Sequence, residues 1–175
     1  MCVIIAKSKG VKMPAIATLK MAYFANPHGI GIVSSNGIYW RGLDFNEFLS
    51  VLKGVGKDDA CIIHFRFATH GSHKVSNCHP FNHRGLYFAH NGILPVETHD
   101  DMTDSETVFR DKLIPVYDRS GIGSHEFTQA VLENIGSSKF AFMDKGEVYL
   151  WGRFYKEHGV YFSNFNFRVS YRFGY

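Results

Sequence analysis

Two hairpin signals constrain this chain more than any other feature. Ser35-Asn36-Gly37 separates a β-branched run over 28–33 from a return segment over 38–40, and an Asn-Gly pair suits a primed two-residue turn. Asp144-Lys145-Gly146 does the same between 139–143 and 147–151. Each signal demands neighbouring antiparallel strands. Further strands are expected over 3–6, 60–68, 85–90 and 160–163, with 167–173 as a possible last one. Over 60–68, Ile62, Ile63, Phe65 and Phe67 are apolar, while His64 and Arg66 fall on one face because their spacing is two.

Helices are expected between and after these strands. Pro14 suits the first turn of a helix running to Ala25, which Asn26-Pro27 stops. Asp44 can cap 45–53, with Glu47 at the capping-box position. Asp104-Ser105-Glu106 opens a helix over 107–116, where acids favour an N-terminus and Asp104 is itself a candidate cap. Ser124 caps 127–134, which Gly136 ends. About eight strands and four helices in this order predict an α+β fold, its sheets covered by helices.

Length and composition narrow the function classes. The chain of 175 residues fits one domain spanning 1–175, with no internal repeat or linker. Its formal charge of +3 is spread without a basic block, so no nucleic-acid partner is expected. No apolar stretch approaches 18 residues, and no signal peptide is apparent, so no membrane partner is expected. Three widely spaced cysteines, Cys2, Cys61 and Cys78, fit a reduced, cytoplasmic protein better than a disulfide scaffold.

Cys2 is the residue with chemistry in reach. Methionine before a small residue is readily trimmed, and Cys2 would then carry a thiol and a free α-amine. The thiol is a nucleophile, and an amine with a pKa of about 7.7–8.0 is poised to serve as its base. The apolar run Val3-Ile4-Ile5-Ala6 would hold that terminus still. If Met1 stays, the amine is locked in a peptide bond and the residue is an unprocessed precursor.

Polar stretches then recur where strands end: His64-Phe65-Arg66-Phe67-Ala68-Thr69-His70-Gly71, Asn77-Cys78-His79-Pro80-Phe81 and His90-Asn91-Gly92. With Cys2, Asn26-Pro27-His28-Gly29-Ile30-Gly31 and Asp104-Ser105-Glu106, they resemble the class II glutamine amidotransferases. Those are N-terminal-nucleophile (Ntn) hydrolases with a four-layer αββα sandwich of two mainly antiparallel sheets. The resemblance spans nearly the whole chain. It departs at His28, where an acid often stands in the family, and Cys78 takes a position often held by alanine.

The resemblance implies catalytic roles for Cys2, Asn91 and Gly92, the last two as oxyanion donors. It implies substrate contacts by Arg66, Thr69, His70, His79 and Asp104. Arg66 can grip an α-carboxylate through two parallel hydrogen bonds, and Asp104 can take an α-ammonium. The implied substrate is glutamine or a γ-glutamyl compound, hydrolysed through a thioester with release of ammonia. No cofactor and no metal are implied. His70, His73, Cys78 and His79 crowd together, but at spacings that match no structural zinc pattern. Larger family members carry a synthase domain, which 1–175 does not contain. Three readings stay open: a glutaminase subunit feeding a separate ammonia-accepting synthase subunit, an independent γ-glutamyl amidase, or a non-enzymatic glutamine-binding regulatory module.

Each motif also has a plainer explanation. Asn-Gly after a strand makes a turn, and an arginine in a strand makes an ion pair. His79 could be a satisfied loop histidine. Cys61 reads as a core residue and Cys78 as packing.

Overall fold

The computed structural model describes residues 2–68, 74–98 and 102–169. Its organising strand is β1 (Val3–Lys7), all five residues of which are buried. A strand buried on both faces needs cover on both, and the alternation of its side chains shows what provides it. Val3 and Ile5 point into one core, and Ile4 and Ala6 into another. The buried ammonium of Lys7 ends the strand by donating to the carbonyls of Gly56, Lys57 and Asp59.

After β1 come α1 (Ile16–Ala25), the hairpin of β2 (Ile30–Ser34) and β3 (Tyr39–Gly42), then α2 (Phe45–Leu52) and β4 (Cys61–Phe65). The second half of the chain holds β5 (Phe81–His83), β6 (Leu86–Asn91), α3 (Asp104–Val108), a π turn over Phe109–Leu113, α4 (Ile114–Ser120) and α5 (His125–Ile135). It continues through the β7 (Lys139–Asp144) and β8 (Glu147–Trp151) hairpin to β9 (Tyr155–Glu157), β10 (Val160–Phe162) and α6 (Asn166–Val169). Both expected hairpins form.

The strands build two antiparallel sheets, ordered β3-β2-β4-β1-β10-β9 and β5-β6-β7-β8. Three cores lie in parallel. The outer face of the first sheet packs Ile32, Ile63 and Phe65 against Leu19 and Ala22 of α1 and Phe48 of α2. The outer face of the second packs Phe88, Phe140 and Phe142 against Val108, Phe127 and Val131. Between the sheets lies a thinner layer that includes Ile4, Ala6, Ala60, Ile62, Ala89 and Ala141. Alanines there let the sheets approach closely, whereas phenylalanines fill the outer layers. The result is the four-layer αββα sandwich that the resemblance implies.

Several local expectations change. Ten strands and six α-helices occur among the described residues, more than the sequence suggested. The strands β5 and β9 have only three residues each and carry polar ones, too few to show a period. The cap of α3 is Thr103, whose hydroxyl accepts from the Glu106 amide, and Asp104 is already helical. A π turn follows because Pro115 brings no N–H to a regular ladder. The chain is helical over Asn166–Val169 where a strand was expected to start, since Phe167 packs into the core behind β10; residues 170–173 of that expectation lie outside the described residues.

Gly31 sets the distance between β2 and the segment that carries His79. A Cβ at Gly31 would overlap the carbonyl oxygen of His79 and crowd its carbon. Backbone cannot yield as a side-chain tip can, so Gly31→Ala is expected to destabilise the fold by about 3 kcal/mol. A urea midpoint equal to wild type would show that the His79 segment shifts freely.

Candidate active site

The position of Cys2 follows from antiparallel pairing. Both neighbours of β1 run against it, so each delivers its C-terminal end to the residue at the start of β1. Val3 pairs with Phe65 of β4, and Ile5 with Phe162 of β10. Beyond those pairs lie Arg66-Phe67 on one side and Ser163-Asn164 on the other. The Phe67 amide donates to Cys2 Sγ at 3.3 Å, and the thiol faces the Phe67 carbonyl at 3.6 Å. Asn164 Nδ2 donates to the Cys2 carbonyl at 2.8 Å. The nucleophile candidate is therefore held through its backbone as well as its sulfur.

Burial pushes the Cys2 thiol up, and the Phe67 amide and the Arg66 charge partly offset that. A thiol in this state needs a base before it can attack. Cys61 is raised to about 12 by burial, and Cys78 is also raised. Cys61 lies in the core, as expected, and Cys78 packs against Gly29.

Arg66 is buried just beyond the end of β4. Its amide donates to Gly29 O at 2.8 Å, and its carbonyl accepts from the His28 amide at 3.0 Å. These bonds extend the β2–β4 ladder and fix the backbone beside Cys2. His28 Nδ1 accepts from the Ala68 amide at 3.0 Å, which leaves the ring proton on Nε2. Thr69 and His70, also expected here, lie outside the described residues.

Asn91 and Gly92 end β6 in the opposite sheet. Asn91 Nδ2 donates to Ser163 Oγ at 2.8 Å, and the same oxygen accepts from the Ile4 amide at 2.8 Å. Cys2 and Asn91, from different sheets, are thus held by adjacent residues of one segment, Ser163-Asn164. Gly92 has φ 152°, and a Cβ there would overlap the Ser138 side chain. Only glycine allows this approach.

A buried polar row runs from His64, which faces the second sheet, past the backbone of β6 to His90, Ser105 and Asp104 on the helix-covered face of that sheet. His64 Nε2 lies 3.1 Å from the His90 carbonyl and 3.3 Å from His79 Nδ1. His79 Nδ1 also accepts from the His90 amide at 3.4 Å. The consistent assignment puts a proton on His64 Nε2 and none on His79 Nδ1. His90 Nδ1 meets Ser105 Oγ at 2.7 Å, and that hydroxyl donates to Asp104 Oδ1 at 3.2 Å. Asp104 also accepts from the amides of Leu94 at 2.9 Å and Ser105 at 2.7 Å. The carboxylate therefore ties α3 to the loop that follows Gly92. Two oxygens offer about four acceptor sites, so one remains for a ligand.

Burial keeps all three imidazoles neutral. His64 is lowered to about 3 by burial, with repulsion from His90 and Arg66 adding to it. His79 is held well below its usual value by burial and by the same neighbours. His90 is lowered to about 4, again mainly by burial, although Asp104 acts in the opposite direction. His79 is thus a buried link in this row. Among the described residues, no three His, Cys, Asp or Glu side chains form a group that could hold a metal ion. No helix among them is long and apolar enough to cross a membrane.

Sequence reasoning gave no individual role to Ser163, Asn164 or Ser105. Only their placement at a strand exit or a helix start gives them a role, and no local pattern carries that.

The fold is the one that the N-terminal-nucleophile resemblance implies. No protein-family model matches the chain. The isomerizing glutamine–fructose-6-phosphate aminotransferase of Rhizobium meliloti is 32% identical over 84 residues, covering 42% of this chain and 14% of the relative. The same protein from strain 1021 of that species matches equally. A solved structure of the allosteric regulatory enzyme of purine biosynthesis matches with a TM-score of 0.59 at 18% identity. That match covers 93% of this chain and 41% of the other. Both similarities agree with the resemblance to class II glutamine amidotransferases read from the sequence.

Proposed function

We propose that the chain is the glutamine-hydrolysing unit of an amidotransferase, with Cys2 as its nucleophile. One observation carries this reading. The Cys2 carbonyl and the Asn91 amide, from opposite sheets, are bound by the consecutive residues Asn164 and Ser163.

In this reading Met1 is removed, and the freed α-amine of Cys2 takes the thiol proton. The thiolate attacks the side-chain carbonyl carbon of glutamine, and the C–S bond forms as the carbonyl becomes an oxyanion. Asn91 and the Gly92 amide stabilise that charge. The Cys2 ammonium returns a proton to the leaving nitrogen, the C–N bond breaks, and ammonia departs. Water then cleaves the γ-glutamyl thioester to glutamate and regenerates the thiol. Arg66 binds the substrate α-carboxylate and Asp104 its α-ammonium, with Thr69, His70 and His79 in the segments around the pocket. The ammonia passes to a separate acceptor protein. The acceptor sugar in the Rhizobium relative's name does not transfer to this chain, because the match covers 14% of that protein.

The test is an intact mass before and after incubation with a glutamine-like diazoketone. The expected result is a mass lacking Met1, gaining one adduct that peptide mapping locates on Cys2, together with ammonia release from glutamine. A chain that keeps Met1 and takes no adduct would overturn the enzymatic reading.

A further inference from the structure

Two hydrogen-bonding defects meet at one contact. Asn91 Nδ2 donates to Ser163 Oγ, while Asn91 Oδ1 is buried with no partner among the described residues. Ser163 Oγ accepts from both Ile4 and Asn91, and no bond donated by its own proton occurs among the described residues. A buried carbonyl oxygen without a donor is destabilising. A hydroxyl has one donor and two acceptor sites, and a side-chain amide presents an acceptor on one side and donors on the other.

One motion gives the serine proton an acceptor and exchanges the unpartnered oxygen for an unpartnered donor. Turning the Asn91 amide by half a revolution sets Oδ1 against Ser163, whose hydroxyl then donates to it. The Ile4 amide continues to hold the serine oxygen from the other side. Nδ2 moves to the side where Oδ1 now lies unpartnered, and a donor with no protein acceptor replaces an acceptor with no donor. An oxyanion needs such a donor and is repelled by a carbonyl oxygen.

We propose that Ser163 is a positioning residue that orients the Asn91 amide for catalysis, donating to Oδ1 so that Nδ2 is presented to the substrate oxyanion. This rests on the glutaminase reading above. Ser163 also anchors on Ile4, two residues from Cys2, so it keeps the oxyanion donor in register with the strand that carries the nucleophile. A transient turn between the two amide orientations needs no backbone movement.

The experiment is a double-mutant cycle on glutamine hydrolysis. Ser163→Ala is expected to lower kcat by about 10²-fold with KM within about two-fold, as loss of one oxyanion donor does. Ser163→Thr, which keeps a hydroxyl, is expected to restore kcat to within a few-fold. The Ser163→Ala/Asn91→Ala double variant is expected to be no slower than Asn91→Ala alone, because both remove one interaction. Additive losses would make Ser163 a general structural residue and overturn the proposal. So would an unchanged kcat in Ser163→Ala. If Ser163→Ala does not fold, Ser163→Thr against Asn91→Ala decides: a threonine variant as slow as Asn91→Ala overturns the proposal. An inactive wild-type chain that takes no diazoketone adduct would instead remove the glutaminase reading, and this proposal with it.

Discussion

Cys2→Ala is expected to lower ammonia release from glutamine by about 10⁴-fold or more, the scale on which loss of a catalytic nucleophile acts. The fold should be unaffected. The Asn164 side chain binds the backbone carbonyl of residue 2, not the thiol, so alanine keeps that anchor. What alanine loses is the weak pair of contacts between Sγ and the Phe67 backbone. Alanine is also small enough for the preceding methionine to be trimmed. Glutamine should still bind, because the groups assigned to its charged end, Arg66 and Asp104, are untouched. Calorimetric titration with glutamine alongside an ammonia assay checks both halves. Turnover at the wild-type rate would end the nucleophile assignment, and lost binding would mean that Cys2 shapes the pocket.

The second large effect is on stability in acid. His64, His79 and His90 are neutral in the folded chain, with His64 lowered to about 3 and His90 to about 4. In the unfolded chain each titrates near 6.5. Below pH 6.5 the unfolded state binds protons that the folded state refuses, so stability is full above that value and falls as pH falls. From pH 7.5 to pH 5 His64 and His90 each remove about 2 kcal/mol, and His79 acts in the same direction. That is a large share of the whole stability of many domains. Urea midpoints across this range should fall steeply, and the loss should set in above the range in which carboxylates titrate. A flat profile to pH 5 would mean that the imidazoles charge within the fold. The same row joins β4 to Asp104, so acid should loosen the Asp104 end of the site together with the fold.

The two effects test different layers of the molecule. Cys2 reports on the chemistry at the end of β1. The histidines report on the packing that joins the first sheet, the second sheet and α3. Gly31 sits between these, since β2 must approach the His79 segment before that histidine can reach His64 and His90.

Much of this was legible in the sequence because it depends on local physics. The Asn36-Gly37 and Asp144-Lys145-Gly146 turns fixed two hairpins, because backbone geometry at a turn is set by the residues in it. Asp44 and Ser124 cap α2 and α5 through their own side chains. The period-two alternation of 60–68 put His64 and Arg66 on one face. The motifs carrying Cys2, Arg66, Asn91, Gly92 and Asp104 could be read as a family pattern, and the fold agrees with the family named for it.

The rest was decided by tertiary structure. Thr103, not Asp104, caps α3, which leaves the Asp104 carboxylate free to hold Leu94 and Ser105. The segment after β10 turns helical because burying Phe167 against the first sheet outweighs the β preference of its aromatic residues. Ser163 and Asn164 are unremarkable in sequence, yet they bind Ile4, Asn91 and Cys2 across separations of 159, 72 and 162 residues. No window along the chain contains those pairs. The neutral state of His64, His79 and His90 likewise comes from sheets and helix α3 closing over them. A sequence shows which groups can titrate, but burial decides whether they do, and burial exists only once distant strands have met.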